Sequence, residues 1–196
     1  MDFHFVLDGN IQTLSTHSAP KKGPIQGLLY VPSLNSNGPC NDILAPYVPS
    51  NVTRKEDVEP IGHHSIALAP WVSVECTQSL LEASRMDKPD ALVFYLPHTS
   101  STKMPPPSDD PAWTLEDNSQ WMDQNEYPVY AIPASAGATL MQRLSWYSGN
   151  TTIAPNSSLD DNSSGHDGSV SHASENVRLF TFIDLGKLFT LAHLPR

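Results

Sequence analysis

Residues 65–97 read SIALAPWVSVECTQSLLEASRMDKPDALVFYLP, and this stretch decides the fold. Ile66, Ala67, Leu68 and Ala69 form a short apolar run that Pro70 ends, the pattern of a buried strand. Ser73 is placed to accept a backbone N–H bond at a helix start, and Glu75 puts an anion where unpaired N–H groups favour one. Cys76, Leu80 and Ala83 recur at i, i+4 and i+7, which predicts one apolar helix face. Pro89 disfavours helix for Lys88, and Ala91 to Leu96 then make a second apolar run closed by Pro97. A strand, helix, strand unit of this kind predicts two parallel, buried strands.

Working outward, Phe3, Phe5 and Leu7 alternate with polar or smaller residues and predict a first strand. Residues 11–14 follow a turn and are expected to pair back as a second. Residues 25–31, IQGLLYV, predict another strand, with Gly27 marking a bulge or a close backbone approach. Downstream, YPVYAIP at 127–133 reads as a buried strand. The helix after it is predicted with Ser135 as cap, Leu140, Leu144 and Tyr147 on one face, and Gly149 as stop. Residues 150–176 are Ser, Asn, Asp and Gly with few apolar side chains, a composition expected to stay disordered. VRLFTFIDL at 177–185 predicts a closing strand.

The unit at 65–97 resembles the centre of the protease-associated (PA) domain: an apolar strand, IALAP, a turn, a cysteine in the first helical turn, Cys76, the helix CTQSLLEAS, and the strand ALVFYLP. Where the family commonly has Arg-Gly-x-Cys, this chain has Pro70 to Glu75 before Cys76. That turn, with YPVYAIP and LMQRLSWYSGN at 140–150, is most similar to fungal membrane-anchored RING-finger ubiquitin ligases of the PA-TM-RING arrangement. The resemblance implies an α/β (α+β) fold, an open β-barrel or sandwich of the swivelling β/β/α type with two main flanking helices. It implies one PA-like domain over 1–149 and 177–190, an insertion at 150–176 and an exit linker at 191–196. It also implies a non-catalytic module that recognises a protein or peptide on the luminal (endosome, vacuole or Golgi) or extracellular side of a membrane. Ubiquitin transfer would belong to a RING outside this soluble piece of a membrane-anchored parent. The alternative is an accessory PA domain of a secreted or vacuolar peptidase of subtilase or aminopeptidase type.

Composition is consistent with those expectations. The 196 residues suit one domain, and 18 prolines with 16% charged residues describe a loop-rich chain. A net charge of -10 and the lack of any basic cluster in the sequence argue against nucleic acid, whose phosphates require a basic face. No apolar run approaches the roughly 20 residues that span a bilayer. Residues 1–10 lack a signal peptide's basic start and long apolar centre, so the chain is expected to be excised from a longer protein. Cys40 and Cys76 allow one disulfide, and Asn51, Asn150, Asn156 and Asn162 head glycosylation sequons. With the resemblance they point to the secretory pathway; the alternatives are two core thiols and chance sequons.

No motif predicts catalysis, a metal or a cofactor. Gly-x-Ser-x-Gly is absent, and the S-x-x-K at 100–103 lies in a polar loop. His63 and His64 are adjacent, which sends extended side chains apart. The acidic residues Asp109, Asp110, Glu116 and Asp117 lack calcium-loop spacing and read as solvated charge. Small residues at 134–138 read as tight strand–helix packing. The connections 46–59 and 98–125 are the expected recognition surface, since loops on a rigid sheet carry binding. Within them the candidate partner-binding residues are His98, at a strand's carboxyl end, the run Pro105, Pro106 and Pro107, and Trp113 and Trp121. For the two tryptophans the alternative is folding back onto the domain.

Overall fold

The computed structural model describes residues 3–7, 10–19, 24–36, 38–58, 64–98, 102–147 and 179–183. The chain is mixed α/β. Its strands are β1 (Phe3–Leu7), β2 (Gln12–Ser15), β3 (Ile25–Tyr30), β4 (Ser65–Pro70), β5 (Ala91–Tyr95), β6 (Val129–Ala131) and β7 (Leu179–Ile183). The helices are α1 (Cys40–Leu44), α2 (Lys55–Val58), α3 (Val74–Asp87) and α4 (Ala134–Tyr147).

All seven strands form one sheet in the order β1-β7-β3-β4-β5-β6-β2. The middle four, β3 to β6, run parallel. β7 is antiparallel to β3, β1 is parallel to β7, and β2 is antiparallel to β6. The first two strands therefore do not pair as a hairpin; they occupy opposite edges. Six strand spacings of about 4.8 Å would hold those edges roughly 29 Å apart in a flat sheet. The chain from Leu7 to Gln12 covers five Cα steps, at most about 19 Å. The sheet must curl to bring its edges within that reach, which is why consecutive strands can serve both ends.

The central unit forms as its sequence dictates. Every residue of β4 and β5 is buried, as a parallel strand covered on both faces requires. Ser73 Oγ accepts the Cys76 N–H at 3.3 Å and caps α3. Lys88 adopts a left-handed φ of 51° and donates its N–H to the Ser84 carbonyl, ending the helix before Pro89. The buried face of α3 is Cys76, Thr77, Leu80, Leu81 and Ser84. Ala83, expected on that face, is only half-buried, because the stripe turns through Ser84 instead. Gly27 in β3 permits the close approach expected of it, since a Cβ there would lie 2.7 Å from the His64 carbonyl oxygen.

Cys40 and Cys76 form a disulfide between α1 and the first turn of α3. Both are buried. Closing a loop over a separation of 36 residues stabilises the domain by about 4 kcal/mol in the chain-entropy account.

The two connections expected to form the recognition surface are largely packed against the domain. The 46–59 segment carries α2 and buries Val48, Val52, Thr53 and Val58. The 102–125 segment holds two 3₁₀ turns, Pro111–Trp113 and Gln120–Met122. Their acidic side chains work as local acceptors rather than as free charge: Asp110 takes the Ala112 N–H and Asp117 the Trp121 N–H, each at 2.8 Å. The proposed insertion 150–176, Gly149 and the exit 191–196 lie outside the described residues.

Candidate functional site

Successive strand residues point to opposite faces, and at the end of β5 this separates two structures. Phe94 faces an indole cluster. Tyr95 faces α4 and an open groove.

The indole cluster absorbs most of the residues the sequence suggested for recognition. Trp71, immediately after β4, meets Phe94, Trp113 and Trp121 with ring centroids 5.0, 5.2 and 5.3 Å away. Trp113 and Trp121 are 1% and 2% exposed, so neither indole can present itself to a partner; folding back is what occurs. Their N–H groups are satisfied internally, Trp113 Nε1 donating to the Pro106 carbonyl and Trp121 Nε1 to the Trp113 carbonyl, both at 3.1 Å. Pro105 is buried and Pro106 half-buried; of the three prolines only Pro107 is exposed. The triplet thus walls the cluster instead of offering a free polyproline ligand. Buried Asn125 donates to the Trp121 carbonyl at 2.7 Å and accepts from the Tyr127 hydroxyl at 3.2 Å, fastening the end of the connection.

On the other face, a groove of about 660 Å³ opens at the carboxyl end of β5. One wall is the 46–49 turn with Pro46, Tyr47 and Pro49; the other is α4 with Ala138, Met141, Gln142, Ser145 and Trp146. Tyr95, Pro97, Ala134 and Ser135 make the floor and near end. None of these residues carries a formal charge, in a chain whose net charge is -10. The carboxyl edge of parallel strands is where open α/β sheets place ligands.

The groove's walls are fixed by named contacts. The Tyr95 hydroxyl donates to the Tyr47 carbonyl at 3.3 Å. Burial, and then the neighbouring Tyr47, push the Tyr95 hydroxyl far above its ordinary pKa, so it remains a donor. Gly137 lets α4 sit against Tyr95, because a Cβ there would overlap the ring. This is the strand–helix packing read from residues 134–138. Ser135 lies inside the first turn of α4 rather than capping it, since Ala134 already begins the helix after Pro133. His98 is exposed at the rim, its Nδ1 3.1 Å from the Tyr47 hydroxyl and its ring edge-on to Tyr47 at 5.2 Å. Asn51 and Ser145 join the two walls at the outer end.

Trp146 is the residue sequence reasoning missed. It is 54% exposed, whereas Trp71, Trp113 and Trp121 are 6% exposed or less. The signal was present: α4 buries Leu140, Met141 and Leu144, and Trp146, two positions past Leu144, falls off that stripe. Arg143 lies over the Trp146 ring, 5.1 Å from its centroid, holding the indole along the helix.

No protein-family model, curated protein or solved structure matches this chain. The groove's chemistry must therefore be read from its own residues.

Other polar clusters have structural occupations. His64 Nδ1 lies 2.7 Å from Asp90 Oδ1, while Asp90 Oδ2 accepts the Ser65 N–H at 2.9 Å, a clamp between the starts of β4 and β5. Among the described residues no group of three His, Cys, Asp or Glu side chains is placed to hold a metal ion. No described helix is long and apolar enough to cross a membrane. His63 and the sequons at Asn150, Asn156 and Asn162 lie outside the described residues; Asn51 is exposed.

Proposed function

We propose that this chain is a PA-like recognition domain, without catalysis of its own, on the luminal or extracellular side of a membrane-anchored RING-type ubiquitin ligase. Its ligand is an extended, uncharged, apolar or proline-containing segment of a partner protein, seated in the groove between the 46–49 turn and α4. The observation that carries this reading is the groove itself: tyrosine, tryptophan, proline and methionine side chains with a few amide and hydroxyl groups, on walls held by hydrogen bonds and tight packing. Such a surface suits a peptide whose apolar side chains alternate with backbone groups that Gln142, Ser135 and Ser145 can reach.

The PA-like and luminal parts of the reading have their own support. A mixed sheet with two principal helices agrees with the α+β class that the resemblance implies, and a buried Cys40–Cys76 disulfide is compatible with an oxidising compartment. Alkylation of thiols in the protein taken from its source tests the placement, which fails if Cys40 and Cys76 are reduced there. Display selection of short peptides on the folded chain tests recognition. Enriched sequences lacking apolar or proline anchors would sink it.

A further inference from the structure

Asn51 heads the sequon Asn51-Val52-Thr53, and among the described residues Ser145, at the mouth of the groove, engages both ends of its side-chain amide. Asn51 Nδ2 donates to the Ser145 carbonyl at 3.0 Å, and Ser145 Oγ donates to Asn51 Oδ1 at 2.7 Å. Because both partners belong to one residue, the amide presents its oxygen and the N–H syn to that oxygen along one edge. N-glycosylation turns this primary amide into a secondary one. Secondary amides strongly prefer the trans form, which sets the sugar carbon in place of the syn hydrogen. The sugar would stand where Ser145 now sits.

We propose that Asn51 is a glycan acceptor whose modification and whose contact with Ser145 exclude each other, so that occupancy sets how firmly the groove's outer wall is held to α4. In the transfer, Nδ2 bonds to the anomeric carbon of an oligosaccharide carried on a lipid diphosphate. The carbon–oxygen bond to the phosphate breaks, the lipid diphosphate leaves, and the amide proton passes to base. Thr53, the hydroxyl residue of the sequon, is 3% exposed, and its carbonyl accepts the Val31 N–H at 2.9 Å. The folded sequon is closed to a transferase, so occupancy is fixed during synthesis, before the contact forms. Pro49 and Ser145 both line the groove; a modified Asn51 frees the wall between them and widens the mouth. The inference rests on the luminal placement proposed above.

The test uses the full chain secreted from a eukaryotic host, with Asn150→Gln, Asn156→Gln and Asn162→Gln so that Asn51 alone can be modified. The two glycoforms are separated and compared by hydrogen exchange. Peptides covering 46–54 and 142–147 should exchange about tenfold faster in the modified form, the factor expected from losing two exposed hydrogen bonds. Asn51→Ala, which removes both bonds without a glycan, should match it, and unmodified Ser145→Ala, which keeps the carbonyl acceptor, should fall between. Trimming the glycan to its first sugar should leave exchange fast, because the substituted amide and not the bulk is responsible. Equal exchange in both glycoforms, slowing on trimming, or no modification of Asn51 in the secreted chain would each overturn the proposal. Failure of the luminal placement shows elsewhere, as reduced cysteines in the protein from its source.

Discussion

The indole of Trp113 stands at 89° to that of Trp71, ring centroids 5.2 Å apart, and this one contact converts a proline-rich connection into a packed face of the domain. Trp113→Ala removes a 1%-exposed side chain from the centre of that cluster. It should cost about 3–5 kcal/mol in urea unfolding. Trp146→Ala, on the opposite side of the sheet, should stay within about 0.5 kcal/mol of the parent. A Trp113→Ala protein of unchanged stability would mean that the connection is not held by the cluster.

Gly137 is the point where α4 touches the sheet. Gly137→Ala ordinarily favours a helix, yet here the added methyl meets the buried Tyr95 ring. Overpacking of this kind costs about 1–3 kcal/mol and outweighs the gain in propensity of about 1 kcal/mol. The variant should melt below the parent, and a higher melting temperature would contradict the packing described.

The disulfide joins α1 to α3, so its removal should loosen the 40–58 segment more than the strands. Replacing Cys40 and Cys76 together by serine should lower stability by about 4 kcal/mol. Comparison of hydrogen exchange in 40–58 and 91–95 checks where the loss falls; equal loss in both would argue for global rather than local loosening.

Four buried tyrosines set the alkaline limit. Burial is the first cause of a raised hydroxyl pKa at Tyr30, Tyr95, Tyr127 and Tyr130, the last pushed up to about 12. Each folded pKa lies above the unfolded value near 10, so the contribution is fully present below pH 10 and is lost as pH rises through the folded value. Stability should be level with respect to these groups up to about pH 9. Above about pH 10 it should fall by as much as about 1.4 kcal/mol per pH unit for each tyrosine still neutral in the fold. The Tyr130 hydroxyl has no hydrogen-bond partner among the described residues, so Tyr130→Phe should reduce the alkaline slope at no cost at neutral pH.

The sequence was legible where a local pattern carries its own ends. The runs 66–69 and 91–96 are apolar without interruption, and Ser73 and Pro89 bracket the helix between them, so this unit could be read almost to the residue. Strand order was not legible, because pairing β1 with β7 and β2 with β6 depends on the curl of the whole sheet. For Trp113 and Trp121 the sequence left both a recognition patch and folding back open, because their partner, Trp71, is distant in sequence and lies in a turn of no obvious role. The groove was hidden for the same reason. Tyr47, Tyr95 and Trp146 come from three separate segments, and only the expectation for the 46–59 connection and for His98 touched its rim.

The claim that the groove is a peptide-recognition surface meets its most direct test in Trp146. The other three tryptophans are buried, so acrylamide quenching of intrinsic fluorescence reports mainly on this indole. A display-selected apolar or proline-containing peptide should shield it from quencher, and Trp146→Ala should weaken binding about tenfold or more with the fold intact. Tight binding that leaves Trp146 quenchable, and is unchanged in Trp146→Ala, would place recognition elsewhere and contradict the account.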